Sequence, residues 1–270
     1  MNITKKEELL ELAEKRNVKI EFAVVNKVNT KEEQVRLLKE DGRKYEVFPS
    51  VNIDCSLTAE QILDMLCVRT NDNVDVKELT STANIHSCLM NAEKNEELLR
   101  NIPHRALGDL AIYYRFMISS DNGVLSSIIT NELIDSKGWT EEQLNIISEM
   151  NNHLESKPMH QMISELMGIE IPVDDNMPGL HVVTNKLHNN GAGEILTFLK
   201  RNGNKNFYII PSSIHECLAL ETEDTFAVIK TASDLKEMVM EVNATEVAPS
   251  DFLSDNVYYY SALSGRVSVL

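Results

Sequence analysis

Glycine and proline are scarce, ten and seven among 270 residues. That composition supplies neither a Gly/Ser linker nor a Pro-rich tether. No window approaches the roughly 18 consecutive apolar residues that a membrane span needs. The opening residues, Met1-Asn-Ile-Thr-Lys-Lys-Glu-Glu8, have no apolar signal-peptide core. The chain therefore reads as cytoplasmic, with no membrane partner. Cys55, Cys67, Cys88 and Cys217 never form a Cys-x-x-Cys pair, which gives zinc or iron–sulfur ligation no support; no metal and no cofactor is expected. Each cysteine has apolar neighbours and reads as a small buried hydrophobe.

Positive charge is also short. Twenty-six Lys and Arg face 42 Asp and Glu, for a net charge of -16. Residues 132–175 hold ten acids and two bases, and residues 221–255 hold nine acids and two bases. Such a chain repels nucleic-acid phosphates, so direct DNA or RNA binding is not expected. Two acidic blocks fit a basic protein partner instead. Against this shortage, hydrophobic content of 43% and charged content of 25% match an ordinary folded protein.

The periodicity predicts an α+β fold: small antiparallel sheets with packed helices, ending in a β-α-β-β-α-β unit. Three segments are expected: an N-terminal α+β part (1–80), middle strands and helices (81–175), and a C-terminal α+β unit (176–262). In the first, Thr4-x-x-Glu7 and Thr58-x-x-Gln61 have the form of capping boxes, and residues 19–28, 34–39 and 44–53 read as strands, with Asp41-Gly42 as a turn. In the second, a strand is expected over 85–91 and a charged helix over 94–100; the apolar, aromatic residues 106–118 fit a strand or a buried helix, and strand is the preferred reading. Residues 123–136 read as helical. A helix capped by Thr140-x-x-Gln143 carries Leu144, Ile147, Met150 and Leu154 on one stripe, and Pro158 opens another helix. In the third, strands at 180–184, 207–210, 216–220 and 257–260 alternate with helices at 192–201 and 231–243. On the last helix, Leu235, Met238, Val239 and Val242 form the expected core face.

Several strings then carry a family likeness: Tyr208-Ile-Ile-Pro-Ser-Ser-Ile-His-Glu216, Leu235-Lys-Glu-Met-Val-Met-Glu-Val-Asn-Ala-Thr-Glu-Val247 and Leu253-Ser-Asp-Asn-Val-Tyr258. Asn91-Ala-Glu-Lys-Asn95, Ile102-Pro-His-Arg105, Asp109-Leu110 and Val182-Val-Thr-Asn185 belong with them. Over roughly residues 20–260 the chain resembles the uncharacterised "domain of unknown function 5688" family. The resemblance implies an α+β architecture and a bacterial or mobile-element origin. It implies no catalytic residue.

Chemical constellations are thin. His215-Glu216 lacks the second histidine of His-Glu-x-x-His and reads as a polar hairpin corner. Ser212 and Ser213 lack the glycines of a nucleophile elbow. Arg105, beside His104, is a candidate anion clamp, against the plainer reading that it pairs with an acid of adjoining elements such as Asp109. Asn189-Asn-Gly-Ala-Gly193 lacks the Lys of a phosphate loop, and Glu194 follows it; glycines easing a tight turn explain it better. Tyr258-Tyr-Tyr260 reads as a strand with alternate tyrosines in the core, and the helical methionines as core filling.

The sequence thus points to a non-enzymatic interaction protein, with no catalytic residue assigned. Asp234, Glu237, Glu241, Asp251 and Asp255 would face a basic partner. A narrower form is a mobile-element inhibitor of a nucleic-acid-binding defence enzyme such as a CRISPR effector. The alternatives are an enzyme or small-ligand binder in which His104, Arg105, His215 and Glu216 share one pocket, and a structural or regulatory domain with no charge-dependent partner.

Overall fold

A computed structural model describes residues 3–38, 50–53, 56–71, 76–120, 123–168, 179–222 and 228–270. The expected Asp41-Gly42 turn, Cys55 and most of the 44–53 strand lie outside them. The chain forms two compact units, residues 1–80 and 81–270.

The first unit opens with α1 (Ile3–Lys15), which ends where Asn17 turns left-handed at φ 55°. β1 (Lys19–Lys27) and β2 (Thr30–Leu38) form a hairpin closed by the Lys27–Thr30 pair, with Asn29 at φ 62° supplying the tight turn. β3 (Ser50–Asn52) adds to β2. α2 (Ala59–Asn71) starts at a capping box whose two bonds, Thr58 N to Gln61 Oε1 and Gln61 N to Thr58 Oγ1, measure 2.9 and 3.2 Å. A short α3 (Val76–Leu79) follows. Leu9, Val35, Leu37, Val51, Ile53, Ile62 and Leu66 make the core.

The second unit contains two antiparallel sheets. β4 (Ile85–Asn91) is buried along its whole length. A 3-10 turn (Glu93–Asn95) and α4 (Glu96–Leu99) replace the longer helix expected over 94–100. β5 (His104–Leu107), β6 (Leu110–Ser120) and β7 (Gly123–Ile128) complete the first sheet, in which β6 pairs with β4, β5 and β7. The 106–118 expectation is met, with a break at Gly108 (φ 62°) where the chain turns.

Two helical readings need correction. Residues 123–128 are strand, because pairing with the buried β6 overrides their local preference. The helix there, α5 (Asn131–Lys137), starts only at Thr130, which caps Leu133 N. α6 (Glu141–Asn151) has the expected Thr140–Gln143 capping box but stops at Asn152, left-handed at φ 54°. Leu154 therefore opens β8 (Leu154–Pro158) rather than extending the helical stripe. α7 (Met159–Met167) follows, with Pro158 as its N-cap.

β9 (Leu180–Asn185), α8 (Ile195–Arg201), β10 (Asn206–Ser213), β11 (Glu216–Thr222), α9 (Val228–Thr245) and β12 (Tyr258–Ser261) give the expected β-α-β-β-α-β order. β13 (Arg266–Val269), unforeseen, pairs with β12. The sheet order is β13-β12-β10-β11-β9-β8. α9 packs on one face of it through Ala232 and Val239, against Tyr208, Ile210 and Val257. Tyr258 and Tyr260 are buried, in line with the expected alternation.

Glycines 191 and 193 do not serve positive-φ turns. A Cβ on Gly193 would lie 2.2 Å from Ser87 O, and one on Gly191 2.4 Å from Thr184 Oγ1. They let a 3-10 turn (Gly191–Glu194) lie directly on β4 and β9.

Candidate functional site

The register of α9 decides what it presents. Its inward stripe is Ala232 and Val239, both buried, with the partly buried Leu235, continued by Asn243, whose Nδ2 donates to Ser254 O at 3.0 Å. The expected core face was turned by about one position: Met238 and Val242 are 47% and 44% exposed. At about 100° per residue, Asp234, Glu237 and Glu241 fall together on the side opposite this stripe. All three are exposed, and among the side chains that are described their carboxylates have no ion-pair or hydrogen-bond partner. Met238 and Val242 flank the carboxylates on one side, and Met240, 50% exposed, on the other.

The remaining expected acids are engaged elsewhere. Asp255 accepts from Asn243 Nδ2 at 2.8 Å. Asp251 accepts from Ser250 Oγ at 3.1 Å and lies 3.8 Å from His215 Nε2. Both are partly buried and close the ends of the loop after α9. Four acids of the other block are also engaged, whereas Glu170, Asp174 and Asp175 lie outside the described residues. Glu149 meets Lys200, Glu165 meets Lys157 at 2.9 Å, Glu155 lies 3.5 Å from His188, and Glu141 accepts from Tyr114.

His215 and Glu216 sit at the β10–β11 hairpin corner, where Ser213 pairs with Glu216 across Ile214 and His215. His215 Nδ1 accepts from Asn190 N at 3.2 Å, and its carbonyl accepts from Thr184 Oγ1 at 2.8 Å and Gly191 N at 3.1 Å. The corner thus pins the 3-10 turn before α8. Glu216 lines a cavity of about 270 Å³ with Met162, Val182 and His188.

His104 lines a different cleft, of about 540 Å³, with Asn91, Glu93, Glu96, Arg100 and Asp109. Arg105, next along β5, donates to Asn145 Oδ1 at 2.6 Å and lies 3.9 Å from Glu141 Oε1. Its acidic neighbour is therefore on α6 and is not Asp109. The four residues that would share one pocket are divided: His104 and Glu216 line different cavities, Arg105 faces α6, and His215 is tied into the hairpin corner. Among the described residues no group of three His, Cys, Asp or Glu side chains has metal-binding geometry.

Asp109 was not singled out by its own spacing, yet it holds this region together. Its Oδ2 accepts from Ser254 Oγ at 2.7 Å, Oδ1 accepts from Tyr258 Oη, and its carbonyl accepts from Ala92 N at 2.9 Å. Asn91 Nδ2 donates to Leu253 O at 2.8 Å, and Lys94 Nζ rests 3.7 Å above the Phe252 ring. Burial alone would raise the Asp109 carboxyl; hydrogen bonds from Tyr258, Ser254 and Asn256 outweigh it and hold the group below the ordinary carboxylate range. Segments 91–95, 102–110 and 253–258, separate in sequence, thereby form one hydrogen-bonded unit.

The family of unknown function DUF5688 matches the chain over residues 3–262, and the chain belongs to that family. No curated protein and no solved structure matches it.

Proposed function

We propose that this member of an uncharacterised family is a binding protein whose α9 face docks a basic segment of a protein partner. One observation carries the reading: Asp234, Glu237 and Glu241 lie together, exposed, with no counter-charge among the side chains that are described and exposed Met238, Met240 and Val242 beside them. Uncompensated carboxylates steer and select a cationic surface. Methionines at a surface give adaptable apolar contact. A solvated face needs only the first, so the apolar shoulders favour a protein partner over simple solubility. Among the described residues no helix is long and apolar enough to cross a membrane.

The narrower form, a mobile-element inhibitor of a nucleic-acid-binding defence enzyme such as a CRISPR effector, asks the same face to enter a basic channel. The sign of the charge supports it. Competition between this protein and the enzyme's nucleic acid is its direct assay.

The test uses the full chain and the triple variant Asp234→Asn, Glu237→Gln, Glu241→Gln as baits in the native cell. A partner held by the α9 face is retained by the wild type at ~0.15 M salt and released at ~1 M, where the Debye length is about 3 Å. With that partner purified, the variant binds about tenfold or more weakly, which corresponds to ~1.4 kcal/mol. Equal binding by the two baits at both salt concentrations overturns the proposal.

A further inference from the structure

The cleft beside β5 is separate from the α9 face. Its walls are the 3-10 turn and α4 on one side and the β5–β6 hairpin on the other, with Asn91, Glu93, Glu96, Arg100, His104 and Asp109 along them. At about 540 Å³ it falls within the ~300–1,000 Å³ range of small-molecule sites.

Two groups in it are set by their surroundings. Asp109 is fixed by neutral donors, the hydroxyls of Tyr258 and Ser254 and the side chain of Asn256, and among the described residues no cation lies within ion-pair distance. A partly buried, ionised carboxylate without a counter-ion favours a cation brought from outside. His104 Nδ1 lies 3.0 Å from Ile102 O. In the neutral ring that contact places the proton on Nδ1, so Nε2 is left as an acceptor. Glu93 and Glu96 are exposed and unpaired among the described residues, and Arg100 supplies the only positive side chain among the lining residues. Three carboxylates and one guanidinium leave the lining net negative.

We propose that this cleft binds a small aliphatic amine or guanidine, with its cationic head against Asp109 and a donor N–H directed to His104. Asn91 does not compete for the ligand, because its Oδ1 accepts from Lys94 N at 2.9 Å and its Nδ2 serves Leu253 O. This site is separate from the α9 face, and its test is independent of any protein partner.

Spermidine and L-argininamide are titrated into the full chain, with the His104 ring signals followed by NMR and the heat by calorimetry; sodium acetate and phosphate serve as anionic controls. The expected result is a saturable shift at His104 with the amines and none with the anions. Asp109→Asn weakens binding about tenfold. Because Asp109 also supports the fold, the exposed double variant Glu93→Gln, Glu96→Gln is the second arm, and there binding weakens about threefold with an unchanged melting temperature. No saturable response to either amine below ~50 mM overturns the proposal. So does undiminished amine binding by the double variant, or acetate or phosphate saturating the same signals. A capped Gly-Arg-Gly peptide that binds where spermidine and argininamide do not overturns the small-ligand assignment in favour of a partner's side chain.

Discussion

The imidazole rings of His86 and His153 stack face to face, their centroids 3.5 Å apart and their planes 12° from parallel. Burial, and then the neighbouring His153, push His86 down to about 3; burial, and then Lys186, lower His153 as well. The folded protein therefore keeps this pair neutral where an unfolded chain takes up protons, below about pH 6.5. Stability is lost as pH falls from that value. Relative to His86→Phe, which preserves a stacked ring without a titrating group, the wild type should lose about 1.4 kcal/mol per pH unit between pH 6 and pH 4. Urea midpoints followed through Trp139, the sole tryptophan, measure this. Parallel curves for the two proteins would show that the pair is not held neutral.

Glu194 acts in the opposite sense. Its side chain is buried, Oε2 has no hydrogen-bond partner, and burial pushes the carboxyl up to about 7 against the hydrogen bond from Thr197 and the charges of Arg201 and Lys186. The folded state holds this proton after the unfolded chain has released it, so stability is present below about pH 4.5 and is lost as pH rises through 7. Glu194→Gln keeps the shape and removes the charge. The variant should gain on the wild type across that window by on the order of 2 kcal/mol, read as a widening gap between urea midpoints at pH 4.5 and pH 7.5. The slopes of Glu194 and His86 oppose each other between pH 4.5 and 6.5, so the variant also exposes the histidine slope. A constant gap would place the proton elsewhere.

Gly193→Ala and Gly138→Ala separate close approach from backbone conformation. A Cβ at 193 would meet Ser87 O at 2.2 Å and Ser87 C at 2.5 Å, backbone of a buried strand that has nowhere to move. A loss of about 3 kcal/mol or more is expected. At 138 there is open space and only φ 65° to oppose a side chain, a cost of about 1 kcal/mol. Thermal melts of the two variants rank them. Equal losses would mean that the turn does not rest on β4 as tightly as described.

Local signals were legible where one bond or one period decided the outcome. The Thr58–Gln61 and Thr140–Gln143 boxes form, strand 85–91 matches β4, and His215-Glu216 is the hairpin corner that its residue types suggested. The losses came from partners distant in the chain. Residues 123–128 became strand because β6 offered an edge. Met238 and Val242 read as core because periodicity alone does not fix which edge of an apolar stripe meets the sheet. Asp109 stood in the sequence only within a family string and as a candidate partner of Arg105; its actual partners, Ser254 and Tyr258, are 145 and 149 residues away. Stacking of His86 on His153 has no signature in sequence at all. The helical step alone puts Asp234, Glu237 and Glu241 on one face, but their separation from the engaged Asp251 and Asp255 required side-chain positions.

Asp109 and Tyr258 should behave as one energetic unit. The Tyr258 hydroxyl donates to Oδ1 and Ser254 Oγ to Oδ2, so Asp109→Ala strands two donors in a partly buried place. A stranded donor costs about 1–3 kcal/mol, so a total loss of ~3 kcal/mol is expected. Tyr258→Phe removes one donor, leaves the carboxylate its Ser254 bond, and should cost ~1–2 kcal/mol. Once Asp109 is gone the Tyr258 hydroxyl has lost its acceptor, and removing it as well should be close to neutral or mildly stabilising. The double variant Asp109→Ala, Tyr258→Phe is thus expected to lose less than the sum of the single losses, by about 1 kcal/mol or more. Chemical denaturation of the four proteins closes the cycle. Additive losses would show that the two side chains do not depend on each other, and that segments 102–110 and 253–258 are held together by packing rather than by this carboxylate.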